Sequence, residues 1–157
     1  MRRKDREITD INDILSIIKK CDTCRIALFD KGYPYIVPLN FGCNYDSTNP
    51  ELYFHCAKEG LKLNLIKANN HAAFEMDCSH KLVTGESACN YSMEFESVCG
   101  QGIIELLKAE EKREALTFLM KQYSHGDSFQ FEERVLEKVT VLKFRIESIT
   151  GKRLVKN

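Results

Sequence analysis

The sequence predicts an α+β, mainly β protein built on a closed or partly closed antiparallel barrel. Strand-like stretches, about six or seven of them, follow one another mostly through hairpins. Roughly three helical patterns stand isolated among them, with no regular strand–helix–strand alternation. The chain also lacks the glycine fingerprint of a dinucleotide-binding turn.

Thr9 or Asp10 can cap the first helix. Ile11, Ile14, Leu15 and Ile18 follow at helical spacing and form one apolar face. Lys19 and Lys20 fall in the last turn, where cations suit the helix dipole. Such a helix is expected to plug one end of a sheet or barrel. Arg25 to Phe29 has strand character, and Asp30-Lys31-Gly32 forms a short hairpin turn with Gly32 free to take positive φ. Tyr33 to Phe41 is the return strand. Its prolines, Pro34 and Pro38, cannot donate to a ladder, so the strand is either a simple edge or bulged. An open ladder at Pro38 would let Pro38-Leu39-Asn40 meet a ligand with main-chain groups and an amide side chain.

Cys43 to Pro50 is a polar loop rich in Asn, Asp and Ser. Leu52, Tyr53 and Phe54 then open a strand. From Gly60, Leu61, Leu65 and Ile66 give a helix its apolar face, ended by Asn69-Asn70. The junction holds small Ala57, flexible Gly60, Lys58 and Lys62. Backbone N–H groups at a helix start lack internal partners and carry partial positive charge, so with the lysines they form a seat for phosphate. The competing reading is a solvated helix face with Glu59 balancing one lysine.

Ala72 to Cys78 is a strand in which Phe74 and Met76 alternate with Glu75 and Asp77. Ser79 to Tyr91 is polar and predicts a long surface loop. Ser92 to Leu107 is a long strand or strand pair, and Gly100 and Gly102 inside it mark a barrel corner, a bulge or a close backbone approach. Glu110 to Tyr123 is a helix with Ala115, Leu116, Leu119 and Met120 on its apolar stripe. Ser124 to Ser128 breaks it, and Phe129, Phe131, Val135 and Leu136 suggest a short apolar helical turn. Val139 to Ile149 closes as a strand, with Leu142, Phe144 and Ile146 on the buried face.

The 157 residues suffice for one domain, expected over 1–157, and 43% of them are hydrophobic. Lys plus Arg equals Asp plus Glu, which argues against a nucleic-acid binder. No apolar run approaches the roughly 20 residues of a membrane span. The basic start, Met1 to Arg6, is followed by no apolar signal core, so a cytoplasmic location is expected. The seven cysteines are odd in number and are expected to be reduced thiols. Cys21 and Cys24 form a C-x-x-C without the second pair that zinc wants, and the motif follows a helix where a redox motif would precede one. No metal site is expected.

His71, His80 and His125 lie in or beside loops and read as solvated, whereas His55 ends a strand just before the phosphate seat. Cys56 follows it, but neighbours on a strand face opposite sides, which argues against a nucleophilic dyad. Without a hydrolase, metalloprotease or P-loop motif, the chemistry would have to come from a cofactor.

Several stretches carry a family resemblance. Arg25-Ile26-Ala27-Leu28 with Pro34-Tyr35-Ile36-Val37-Pro38-Leu39-Asn40-Phe41-Gly42 resembles the flavin-binding split-barrel proteins related to pyridoxamine 5′-phosphate oxidase. More narrowly, Leu52-Tyr53-Phe54-His55-Cys56-Ala57-Lys58-Glu59-Gly60-Leu61-Lys62 is similar to the 5-nitroimidazole antibiotic resistance branch. Phe95 to Gly102, Leu119 to Tyr123 and Ile149 to Arg153 match as well, so the resemblance runs in order along nearly the whole chain.

The resemblance implies a six-stranded antiparallel split β-barrel with flanking helices, acting as a homodimer with flavins in the clefts between subunits. Pro38, Leu39 and Asn40 would line the isoalloxazine. His55, Cys56, Ala57, Lys58 and Lys62 would surround the ribityl chain and phosphate, and Ser97 and Val98 would approach from this chain or its partner. The cofactor would be FMN, or FAD. The activity would be reduction of a nitro group, or of a related small aromatic acceptor, with His55 as proton donor or substrate contact. Many related phosphate sites carry arginine where this chain has Lys58 and Leu61, which leaves FMN against FAD open. A flavin-binding module without turnover, and a haem protein with His55 as axial ligand, are the alternatives.

Overall fold

The structure, a computed structural model, describes residues 3–45, 49–126 and 128–156. In chain order the elements are β1 (Glu7–Ile8), α1 (Ile11–Lys20), β2 (Cys24–Asp30), β3 (Tyr33–Leu39), β4 (Gly42–Asn44) and β5 (Glu51–Ala57). There follow α2 (Leu61–Ala68), β6 (His71–Val83), β7 (Ser92–Leu106), α3 (Lys112–Tyr123), α4 (Glu133–Leu136) and β8 (Val139–Leu154). All pairing is antiparallel, in the order β3-β2-β6-β7-β8-β5-β4, with β1 added on the far part of β8. Among the described residues no ladder joins β3 to β4, so the barrel is split there rather than closed.

The sheet has eight strands, where the sequence implied six. The additions are β1 and β4, segments of two and three residues too short to show a period-two pattern. Positions 46–48 of the expected Cys43–Pro50 loop lie outside the described residues, as does 127 in the Ser124–Ser128 break.

Ile26 and Leu28 of β2 share one core with Leu52 and Phe54 of β5, although β6, β7 and β8 stand between them in the sheet. The sheet therefore curls around that core. Ile14, Ile17 and Ile18 of α1 and Leu63 and Ile66 of α2 pack into it. Asp10 caps α1, its carboxylate accepting from Asn12 N at 2.9 Å and Asp13 N at 3.2 Å. Ile17 replaces Ile11 on the buried face, because Ile11 opens the helix and stays 37% exposed. A second core forms where α3 and α4 cover the other face of β5 and β8, around Tyr53, Ala115, Leu116, Leu136 and Val141.

Other expectations are corrected. β6 continues to Val83, so only the second half of the expected Ser79–Tyr91 loop is loop. One extra residue is absorbed where the register shifts between Cys78 and Lys81, with Ser79 at φ 59, and pairing resumes with Leu82 opposite Met93. β8 likewise runs beyond Ile149 because a register shift opposite Gln101 and Gly102 re-aims it toward β1. In the β2–β3 turn Lys31, not Gly32, takes the left-handed conformation, at φ 48. β3 is the simple edge strand: Pro34 and Pro38 pair in unbroken register with Phe29 and Arg25 of β2. No described helix is long and apolar enough to cross a membrane.

Candidate functional site

β5 turns into α2 through Gly60, whose φ of 142 is a conformation that a side chain would strain. Its carbonyl accepts from Leu63 N at 3.1 Å and Asn64 N at 3.4 Å. Amides earlier in that turn have no intrahelical acceptor to reach. Lys58 is exposed and Lys62 half-buried beside them. Among the described residues neither lysine pairs with a carboxylate, and Glu59 balances neither. Lys62 sits close enough to Cys56 to oppose the upward pull of burial on that thiol. Uncompensated cations at a helix start fit a phosphate group.

Period-two alternation divides the rest of this corner. Cys56 packs against the main core, together with Leu65 of α2. His55 faces the opposite side, exposed, and lines a groove of about 380 Å³ with Leu116 and Met120 of α3, Phe131, Val135 of α4 and Val139 of β8. The two side chains therefore form no dyad. The imidazole shares a largely apolar wall with Glu132 and Gln130, a setting that suits an aromatic guest. The groove residues from α3 and α4 were not singled out from sequence, since their stripe reads equally as core.

The β3 end supplies a second set. Pro38 lies exposed, Leu39 packs on the main core, and Asn40 donates through Nδ2 to the Asp22 carbonyl at 3.1 Å. This segment is fixed from α3. The Tyr123 hydroxyl accepts from Phe41 N at 2.9 Å and donates to Asp22 O at 2.9 Å. Gln122 donates to the carbonyls of Ile18 at 3.2 Å and Cys21 at 2.9 Å, and accepts from the Tyr45 hydroxyl at 2.5 Å. Gln122 and Tyr123 lie three and four residues beyond Leu119, on its helix face, which is the signal that could have found them.

Ser97 is half-buried, opposite Asp77 of β6 and Lys152 of β8. Val98 is wholly buried in the main core and paired on both edges, with Met76 and with Gly151.

Glu96, next to Ser97, holds the end of the barrel together. Arg153 Nε donates to it at 2.6 Å and Ser79 Oγ at 2.8 Å, and Lys20 of α1 pairs with it. Burial alone would raise its pKa, but these donors together hold it at about 2.

All seven cysteines are free. Cys21, Cys24 and Cys43 are core residues whose thiols burial pushes up, that of Cys43 to about 12. His80 Nε2 lies 2.8 Å from Asp77 Oδ2, and the His71 ring lies 3.1 Å from Asn69 Oδ1. His71, His80 and His125 are all exposed, and none of them lines the groove that His55 faces.

Comparison with known proteins agrees with this architecture. The family model for pyridoxamine 5′-phosphate oxidase matches residues 10–153. A solved structure from Bacteroides thetaiotaomicron, of a protein named for 5-nitroimidazole antibiotic resistance, is 36% identical with a TM-score of 0.80, over 94% of this chain and 86% of that one. An Azotobacter vinelandii flavocytochrome has a TM-score of 0.82 at 18% identity, over 99% of this chain and 72% of its own. A Mycobacterium smegmatis protein described as binding FAD and haem has a TM-score of 0.84 at 18% identity, over 96% and 74%. At that identity the last two show the fold alone. A comparison with curated proteins found no match.

Proposed function

The chain belongs to the pyridoxamine 5′-phosphate oxidase-like family, and from that premise we infer that it is a flavin-dependent reductase of small aromatic acceptors such as nitroimidazoles. The observation that carries this reading is the pair of lysines, Lys58 and Lys62, at the start of α2, which have no carboxylate partner among the described residues. Their charge and the free first-turn amides suit the phosphate of FMN, or the diphosphate of FAD. Cys56 and Ala57 would flank the ribityl chain. Pro38, Leu39 and Asn40, held by Tyr123 and Asp22, would meet the ring system. When bound, the flavin supplies the two-electron chemistry that the side chains lack.

The chain's own part is binding and proton delivery. His55 holds an exchangeable proton at the wall of an apolar groove, where an aromatic acceptor would be desolvated. Ser97 and the flavin edge would belong to a cleft completed by a second chain, giving a homodimer.

The test is the absorption spectrum of the purified protein, before and after incubation with FMN or FAD, followed by anaerobic nitroimidazole reduction with NADH or NADPH. Flavin absorbance near one cofactor per chain, with turnover, is the expected result. A protein that stays colourless with either flavin added overturns the reading. A Soret band would instead make His55 a haem ligand, and bound flavin that no donor reduces would leave a binding module.

A further inference from the structure

The irregularity in β6 brings one cysteine against another. The β6–β7 register shifts between Cys78 and Lys81, and Ser79 there takes φ 59. The ladder is open at that point, so Cys78 is half-buried while Ser79 beside it is exposed. The Cys78 side chain packs on the main core at the last turn of α1, its thiol donating toward the Ile17 carbonyl oxygen at 4.0 Å. Cys21 follows Ile17 by one helical turn and ends α1, its backbone N–H donating to Ile18 O at 3.1 Å. The two thiols meet there in a side-chain hydrogen bond, with Cys21 only 3% exposed.

The two cysteines are unequal, which sorts their roles. Burial first, and the neighbouring Cys78 second, push the Cys21 thiol up, so it ionises rarely and reacts slowly with a dissolved oxidant. Cys78 stands where the ladder opens to solvent, and Ser79 Oγ donates to its sulfur at 3.6 Å. A small solute therefore meets Cys78 first, and Cys21 waits in contact behind it. The Cys21 carbonyl accepts from Gln122 Nε2 at 2.9 Å, so a bond closed here ties β6 to the α1–α3 junction that also holds the β3 end.

We propose that Cys78 is a site of oxidation by hydroperoxides and that Cys21 resolves it as an internal disulfide between β6 and the end of α1. The Cys78 sulfur releases its proton to water and attacks one oxygen of hydrogen peroxide. The S–O bond forms, the O–O bond breaks, and the departing hydroxide is protonated to water. The Cys21 sulfur then releases its proton and attacks the Cys78 sulfur. The S–S bond forms, the S–O bond breaks, and a second water leaves. The two thiols together lose two electrons, and one peroxide becomes two waters.

The experiment treats the full chain with rising hydrogen peroxide until exposed Cys89 is oxidised, blocks the remaining thiols with iodoacetamide, and maps tryptic peptides by mass without reduction. Cleavage after Lys20, Arg25, Lys67 and Lys81 puts Cys21 and Cys24 in peptide 21–25 and Cys78 in peptide 68–81. The expected product is a single chain in which these two peptides are joined, short of two hydrogens, and separable with dithiothreitol. The joined peptide should form equally in the wild type and Cys24→Ala, and be lost in Cys21→Ala and Cys78→Ala. Fragmentation of the joined peptide distinguishes Cys21 from Cys24 in the wild type itself, so the result stands if a variant fails to fold. A bond contained within peptide 21–25 overturns the proposal, as does a Cys78 bonded to Cys24 or to another chain. Cys78 still open to iodoacetamide once Cys89 is oxidised overturns it equally.

Discussion

The hydroxyl of Tyr123, at the end of α3, accepts a hydrogen bond from the backbone nitrogen of Phe41 at 2.9 Å. A side chain more than 80 residues along the chain thus fixes the segment just after Pro38-Leu39-Asn40. The same hydroxyl donates to Asp22 O, which also takes the Asn40 amide, so one small network sets where the β3 end lies. Tyr123→Phe is expected to cost about 1–2 kcal/mol in denaturant unfolding. It should also lower flavin occupancy. Unchanged occupancy would show that the β3 end holds its place without this network.

Lys58→Ala and Lys62→Ala test the phosphate seat. Charge-assisted hydrogen bonds contribute about 1.5–3 kcal/mol each, so the double variant is expected to weaken flavin affinity by two or more orders of magnitude. Fluorescence titration with FMN measures it. Stability should barely move, since neither lysine is paired within the chain among the described residues.

His55→Gln is expected to leave flavin content unchanged and to slow nitroimidazole turnover by about a hundredfold or more, the usual contribution of a positioned acid. The imidazole faces the α3–α4 groove rather than the lysines, so binding and turnover should separate. Full activity in His55→Gln would show that the acceptor draws its proton elsewhere.

Glu96 sets an acid limit. Its folded pKa of about 2 lies below the ordinary glutamate value, so the stability it contributes is complete above pH 4.5 and is lost as pH falls toward 2. The shift corresponds to about 3 kcal/mol at neutral pH. Urea unfolding between pH 7 and pH 2 should show this loss, and Glu96→Gln should be less stable at neutral pH and flatter across that window. Equal slopes in the two proteins would mean that Lys20 and Arg153 do not hold the carboxylate in solution.

Two glycines should respond in opposite ways to alanine. At Gly102 a Cβ would overlap the carbonyl oxygen of Arg145 across the β7–β8 register shift, so Gly102→Ala is expected to cost about 2–4 kcal/mol. At Gly32 a Cβ meets nothing within 4 Å and the backbone is not left-handed, so Gly32→Ala should stay within about 0.5 kcal/mol of wild type. Thermal unfolding distinguishes them.

What the sequence determined by itself is the strand and helix pattern and which side chains gather at the β5–α2 corner. Alternation of Phe74 and Met76 with Glu75 and Asp77 needs only local periodicity, and so does the opposition of His55 to Cys56. Lysines beside a helix start are likewise adjacent in the chain. Only the tertiary structure decided that Val98 is core, that β6 runs on past Ser79, and that Gln122 and Tyr123 hold the β3 end. It also decided that Ala27 and Ala73 share a hollow beside Phe29. Those facts depend on which strands become neighbours, and pairing between distant segments is set by burial summed over the whole sheet rather than by any one stretch.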